Sequence, residues 1–585
     1  MQLEAYWGVG PKTKATLEAT IGADAASGAI ESGDVWRLVD AGVQQSRATR
    51  ICRRAQSAEG MELLATRDAR AVYKDVIELA AEHAVSRDAA GRIRTLTPLT
   101  DLEAIRERLD RVETGRATWR GLSDDERAAI LDAFDEYDAA DTGRLAAVET
   151  AVALLEVDAP GAAFEPVSSL DGERLADAAS ALDALDSGRV GEGADDELDR
   201  LRDARDAVET LSANASSLVE ELRSEGVQDT ATFREGFVER LQTETSVDSS
   251  RIREAMATDA VDATGFVHET LRTLRRSLDE TIEQRATEVG TALEEAIEEA
   301  GDDVDRARPA VARVARDLSL GRFADAYDLT PAAYVEGDVL AVEKASNLSL
   351  LATAGDVQPI TYALGEHDRT ALDVPTGDRV TVLTGANSGG KTTLLETLCQ
   401  VVILAHMGLP VPAERAQVSL FDRIVFHRRH ASFNAGVLES TLQSVVPPLV
   451  SGERTLMLVD EFEAITEPGR AADLLHGLVQ LTVNEGALGT FVTHLADDLE
   501  PLPDAARTDG IFAEGLTNDL ELKVDYQPRF GEVGRSTPEF IVSRLVANAG
   551  DRAEEAGFRT LAAAVGTDVV QRTLSDVEWR GVDSA

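Results

Sequence analysis

Residues Arg379 to Leu395 read RVTVLTGANSGGKTTLL. Val380 to Leu383 form an apolar strand, a glycine-rich turn follows, and Leu394 to Leu404 continue as an apolar helix. Gly385, Gly389, Gly390, Lys391 and Thr392 stand at the spacing G-x-x-x-x-G-K-[ST]. Backbone amides of such a turn wrap phosphate oxygens, the lysine reaches the terminal ones, and the threonine hydroxyl is offered to Mg²⁺. Glycine is needed because a Cβ would hold the backbone off the phosphates, and the helix N-terminus adds positive partial charge. The expected ATP-binding set is Gly385, Ala386, Asn387, Ser388, Gly389, Gly390, Lys391, Thr392 and Thr393, with Lys391 also catalytic.

Two later strands complete the constellation. Thr455 to Glu461, TLMLVDE, is an apolar run ending in two carboxylates. Asp460, with Thr392, is placed to hold Mg²⁺, and Glu461 to orient or deprotonate the attacking water. Phe491 to His494, within GTFVTHL, reads as a third strand ending on a histidine that senses the γ-phosphate. Taken in this order, the three segments predict an ABC-type ATPase with ATP and Mg²⁺ as cofactors.

The 585 residues exceed what one hydrophobic core can organise, so several domains are expected. Net charge is -48, with 106 acidic against 58 basic side chains, which ordinarily argues against nucleic acid as partner. Yet the acid is spread along the chain, 43% of residues are hydrophobic, and lysine occurs only at 12, 14, 74, 344, 391 and 523, a balance that resembles a salt-adapted, haloarchaeal proteome. Cys52 and Cys399 are too few for a zinc site or a disulfide framework and read as buried thiols. Neither a signal sequence nor a run of about 18 apolar residues is present, so a soluble, cytoplasmic protein without a membrane partner is expected.

Residues 1–60 contain YWGVGPKTKATLEATIG and DVWRLVDAGVQQSRATRICRRA, helical pairs with glycine turns that look like a tandem helix-hairpin-helix module. In such a hairpin Gly8 and Gly10 let the turn backbone approach a DNA phosphate, with Lys12 and Lys14 just beyond and Arg47 and Arg50 in a second basic cluster. Residues 61–195 read as helical, with a helix start at Pro98 and Thr100 and a turn near 187–196. From 196 to 300, Leu201, Ala204, Val208, Leu211, Ala215, Leu218 and Leu222, then Leu271, Leu274, Leu278, Ile282, Ala286, Val289 and Leu293, keep coiled-coil spacing. Two antiparallel arms are predicted, with a small tip broken by glycine and serine over 226–262. A returning helix occupies 301–335, the ATPase domain 336–560 and a tail 561–585. The fold class is therefore multidomain α and α/β.

Met407 to His427, MGLPVPAERAQVSLFDRIVFH, resembles the MutS family, in which a glycine-x-x-valine-proline-alanine run precedes a strand beginning aspartate-arginine-isoleucine. GANSGGKTT is similar to that family's GPNxGGK[ST] loop, with Asn387 at the loop asparagine. DEFEAITEP, Asp460 to Pro468, looks like the form found in its shorter, MutS-related branches. This resemblance implies a homodimeric ATPase that clamps double-stranded or branched DNA between coiled arms in repair or recombination, possible contact with a MutL-type partner, and a lever and core between arms and head. SFNAGVLESTL stands where the family has S-T-F-x-x-E, the element reaching across the dimer. Ser432, Phe433 and Glu439 supply the residue types at wider spacing, which leaves the residue acting in trans open.

The family's mismatch reader carries a phenylalanine-x-glutamate wedge near its start; here the triplets at 233, 237 and 512 lie in the wrong regions, so mismatch reading is not expected. Nothing after about 560 resembles a nuclease-like tail, and DNA cutting is not expected either. An SMC-like chromosome-tethering ATPase would need an L-S-G-G-Q signature ahead of Thr455, which is absent. A non-catalytic structural DNA clamp would not need Lys391, Thr392, Asp460, Glu461 and His494 together.

Overall fold

The computed structural model describes residues 3–56, 58–140, 143–157, 161–186, 189–224, 230–258, 260–355, 357–368, 374–385, 390–429, 435–461, 468–516, 522–534, 538–550, 552–566 and 570. These form two compact units, one of Met1–Arg127, Pro160–Phe164 and Ala312–Ala585, the other of Ala128–Ala159 and Glu165–Val311. Among the described residues no helix is long and apolar enough to cross a membrane.

In the second unit, helices Asp196–Ala213 and Ala263–Glu299 run antiparallel: Arg285 meets Asp195 at 2.7 Å, while Arg275 lies 3.9 Å from Glu209. Ala204, Val208, Leu271, Leu274 and Leu278 share one buried cluster, as apolar residues spaced by three and four on two facing helices must. A two-residue hairpin, β1 (Leu185–Asp186) and β2 (Arg189–Val190), stands where the turn was predicted. The stretch over 226–262 departs from the broken tip. It folds largely into helices Thr230–Thr245 and Ser249–Glu254, because Phe233, Phe237 and Leu241 recur every fourth residue and bury against Ile252 and Phe266. That stripe outweighs the helix cost of Gly236, about 1 kcal/mol.

The first unit holds two sheets. Its strands are β3 (Ala333–Tyr334), β4 (Val339–Ala345), β5 (Ile360–Gly365), β6 (Val380–Gly385), β7 (Arg415–Val418), β8 (Arg423–His427), β9 (Thr455–Asp460), β10 (Leu488–Val492), β11 (Ala506–Leu516) and β12 (Leu522–Phe530). The larger sheet is ordered β12-β11-β6-β10-β9-β8; β11 through β8 are parallel and β12 runs antiparallel to β11. The smaller is β3-β7-β4-β5. Every residue of β6 and β9 is buried, the mark of parallel strands covered on both faces. Alternation sorts their side chains. Leu383, Leu456 and Leu458 pack on Leu394, Leu398 and Val401 of helix Lys391–His406, while Val382, Met457 and Val459 pack on Leu475 and Val479 of helix Pro468–Asn484.

Residues from the N-terminal part close this sheet. Ile424 on the outer strand β8 donates to Leu63 O at 2.7 Å and accepts from Ala65 N at 3.1 Å, and Thr66 Oγ1 donates to Phe426 O at 2.6 Å. The helix predicted to start at Pro98 begins instead at Leu102, because Asp101 caps it, accepting from Ala104 N at 2.8 Å. Helix Leu102–Gly121 crosses helix Gly301–Ala326 backbone to backbone: a Cβ on Gly115 would lie 2.1 Å from Asp317 O, and one on Gly321 2.4 Å from Arg116 N. At the N-terminus, helices Pro11–Thr20, Ala23–Ser32, Val35–Asp40 and Gln45–Gln56 enclose Leu17, Ile30, Leu38, Ile51 and Cys52. Cys399 is likewise buried, and burial pushes both thiols up.

Gly115→Val should lower stability by roughly 1–3 kcal/mol in urea unfolding, since no side-chain rotation relieves a backbone collision. Gly121→Ala, at a position with open space around it, should shift stability by no more than about 0.5 kcal/mol.

Candidate nucleotide site

The site begins where β6 ends. Gly385 has φ +136°, and a Cβ there would sit 2.3 Å from Ile511 O on β11, so only glycine lets the chain leave the strand at this point. Ala386, Asn387, Ser388 and Gly389 lie outside the described residues. Gly390, φ +72°, precedes helix Lys391–His406. Lys391 is 4% exposed and its Nζ donates to Gly385 O at 3.0 Å, which holds a buried cation at the end of β6. Thr392 Oγ1 donates to Asp460 Oδ2 at 2.6 Å across to β9, and Thr393 lines an adjoining cavity.

Asp460 is buried, and burial raises its pKa although Thr392 and the nearby Arg429 backbone amide favour the charged form. Its Oδ1 has no hydrogen-bond partner among the described residues. An orphaned carboxylate oxygen beside a threonine hydroxyl fits Mg²⁺, which takes one or two protein oxygens and completes its shell with phosphate and water. No group of three metal-ligating side chains occurs among the described residues.

Glu461 follows in the left-handed region, φ +42°, a conformation uncommon for a residue other than glycine. Its amide donates to Val492 O at 3.1 Å, so β10 fixes the turn. His494 Nε2 lies 3.0 Å from Oε1, and Arg429 Nη1 lies 2.6 Å from Oε2. The hydrogen bond to His494, more than the charges around it, holds the Glu461 carboxyl below the usual range. The strand predicted through His494 stops at Val492. Thr493 N crosses to Leu383 O at 3.1 Å and Leu495 N turns back onto Thr493 Oγ1 at 3.0 Å, a bend that swings His494 toward Glu461.

None of the other predicted residues that the structure describes bonds to these. Ser432 and Phe433 are outside the described residues; Glu439 is exposed on helix Ala435–Leu449, accepting from Gln443 at 3.2 Å. At the N-terminus, Gly8 has φ +84° and Gly10 faces open space. Lys12 is exposed, Lys14 lies 3.6 Å from Glu4, Arg47 Nη2 donates to Gly8 O at 2.9 Å, and Arg50 Nε donates to Ser46 O at 3.1 Å.

Two contributors escaped sequence reading. Arg429 is one, flagged only by consecutive arginines after an apolar strand. Tyr526 of β12 is the other, a half-exposed ring against Gly390. With Leu350, Val357, Ile360, Thr393 and Leu394 it lines a cavity of about 310 Å³, whose apolar walls beside a phosphate turn suit a nucleoside. The far end of helix Lys391–His406 is fixed as firmly: Leu99 N donates to His406 O at 2.7 Å, and Phe421 N donates to His406 Nε2 at 3.1 Å, leaving Nδ1 to donate to Leu99 O at 3.1 Å.

Fold and site together define a class, a parallel α/β domain whose central strand feeds a G-x-x-x-x-G-K-T turn and a helix. Residues 381–471 match the family described as MutS domain V, and this match, with the MutS2 relatives, supports membership of the MutS family. A DNA-binding protein MutS2 of Pyrococcus furiosus is 47% identical over 189 residues, covering 32% of this chain and 34% of that protein. An endonuclease MutS2 of Thermus thermophilus is 30% identical over 183 residues, 30% of this chain and 24% of the relative. The DNA mismatch repair protein MutS of Granulibacter bethesdensis is 29% identical over 331 residues, 53% of this chain and 34% of the relative. The chain thus spans about a third or less of the length of these relatives.

His406 provides a pH test. Burial lowers its pKa from 6.5 to about 4, overriding Leu99 O and Asp422, which favour the charged form. The unfolded chain therefore binds the proton first, so this contribution is intact above pH 6.5 and is lost as pH falls toward 4. The expected loss is about 3 kcal/mol across that window. Urea midpoints measured against pH should fall less steeply in His406→Gln, which has no proton to gain.

Proposed function

We propose that this chain is a MutS-related, DNA-binding ATPase that hydrolyses ATP with Mg²⁺ at paired heads of a homodimer. It acts on double-stranded or branched DNA in repair or recombination. The observation that carries the reading is the convergence of Lys391, Thr392, Asp460, Glu461 and His494 from three separate segments. At the carboxyl ends of β6, β9 and β10, Lys391 is bonded to Gly385 O, Thr392 to Asp460 and His494 to Glu461. Ligands of open parallel sheets bind at those ends.

In this reading the turn from Gly385 to Thr393 cradles the phosphates, with Lys391 at the terminal ones. Thr392 and Asp460 would hold Mg²⁺, which would supply positive charge to offset that of the phosphates. Glu461 accepts the proton of the attacking water, and His494 orients Glu461 and reports on the γ-phosphate. Tyr526 covers the base. The names of the relatives, a DNA-binding protein and a mismatch repair protein among them, support DNA as the partner.

The N-terminal helices would add a helix-hairpin-helix contact to DNA. Gly8, in the left-handed region, and Gly10, with open space beside it, leave the turn backbone free to approach a phosphate, while Lys12 faces solvent. Close backbone contacts of this kind suit a chain of net charge -48, because they do not rely on a basic surface.

Glu461→Gln should lower kcat at least about a hundredfold while ATP still binds. Phosphate release as fast as in the parent would remove Glu461 from the role of base, and a parent that releases no phosphate would remove the ATPase reading. Gly10→Val leaves the fold intact, and in 1 M salt it should weaken DNA binding about tenfold, the loss of one or two phosphate contacts. Unchanged affinity would remove the hairpin contact.

A further inference from the structure

Glu461 is restrained in the arrangement observed. A carboxylate takes a proton from water most readily through an oxygen whose lone pairs are not drawn to other donors, and both oxygens of Glu461 are engaged, Oε1 by His494 and Oε2 by Arg429. Release of either partner leaves a more basic and more open oxygen. His494 is held by the Thr493 bend, whereas the Arg429 side chain is 56% exposed on a residue just beyond β8.

The neighbouring arginine shows the difference in commitment. Arg428 donates to Glu396, stacks 5.3 Å from the Phe426 ring, and its amide donates to Asp68 Oδ2 at 2.9 Å. Successive side chains of an extended segment point to opposite faces. Arg428 is thereby locked behind the sheet edge, and Arg429 is turned toward Glu461 and the mouth of the site.

We propose that Arg429 is a γ-phosphate ligand supplied in cis, one that restrains Glu461 until a nucleoside triphosphate draws it away. This rests on the ATPase reading above and deepens it. A terminal phosphate seated between Lys391 and Asp460 lies beside the Arg429 guanidinium, and its oxygens compete for the same planar fork of donors. When Arg429 moves to the phosphate, Oε2 of Glu461 is freed. The water proton passes to that oxygen, the water oxygen bonds to the γ-phosphorus, and the bond from that phosphorus to the bridging oxygen of ADP breaks. The base is thus assembled only when the third phosphate is present, and ADP leaves the restraint in place.

The test needs no turnover. Affinities for a non-hydrolysable ATP analogue and for ADP, both with Mg²⁺, are measured by displacement of a fluorescent nucleotide from the full chain and from Arg429→Ala and Arg429→Lys. Arg429→Ala should bind the analogue roughly ten- to a hundredfold more weakly and ADP within about twofold of the parent, the loss expected for one charged hydrogen-bonding partner. Arg429→Lys should fall between, because an ammonium keeps the charge without the fork. Equal changes for the two nucleotides, or none, would overturn the assignment. If the parent splits ATP while Arg429→Ala discriminates as the parent does, this inference alone fails. A parent that binds neither nucleotide ends the ATPase reading and this inference with it.

Discussion

Three backbones meet at the end of β6 with no room for a side chain among them. A Cβ on Gly385 would reach Ile511 O at 2.3 Å, one on Gly510 would reach Gly534 N at 2.5 Å, and one on Gly534 would reach Gly385 Cα at 2.9 Å. Thr384 ties the three together, its Oγ1 donating to Asp509 O at 3.1 Å and accepting from Gly534 N at 2.6 Å. Beneath them Asp509 is buried between Arg507 and Tyr362, with Arg507 also bonded to Asp378 and Ala363 O. A paired, fully bonded charge in the interior fixes register, because removing one member leaves the other uncompensated. The position from which the phosphate turn departs is therefore set by β11, β5 and the segment after β12 as much as by the turn itself.

This explains what could be read from the chain. The strand, turn and helix at 379–395, the acidic end of β9 and the histidine after β10 are local signals, each legible from periodicity and residue type. Gly510 and Gly534 belong to no local pattern, and their requirement arises only when β11 and its successor are laid against β6. Arg429 and Tyr526 are invisible for the same reason: one is brought in by the pairing of β8 with β9, the other by β12 folding back over Gly390. The helices within 226–262 were obscured by glycine and serine, although the repeat of Phe233, Phe237 and Leu241 was there to be counted.

The helix that starts at the turn also carries its position outward. One end bears Lys391 and Thr392; the other is bonded to Leu99 through His406, and Arg108 Nη1 donates to Met407 O at 2.9 Å just beyond it. Gly408 extends the contact, since a Cβ there would lie 2.7 Å from Ile105 O. Helix Leu102–Gly121 then meets helix Gly301–Ala326 at Gly115 and Gly321. Close-packed interiors transmit displacement rather than absorb it, so a shift at the phosphate end of this series of contacts moves backbone at the other.

The two borders of the larger sheet are engaged in different ways. Residues 63–66 occupy the hydrogen-bonding groups of β8, while at β12 the Tyr526 amide donates to Gln358 Oε1 at 3.2 Å and the Gln527 side-chain amide serves β5, accepting from Thr361 N at 2.8 Å and donating to Thr361 O at 2.9 Å. Parallel sheets form slowly and offer unpaired margins to other copies while they do so. Mutual repulsion of negative charges gives no lasting protection, because it fades as ionic strength rises. A satisfied margin does not fade, and at β8 it gives this acidic chain a safeguard against intermolecular β-association that is independent of the salt around it.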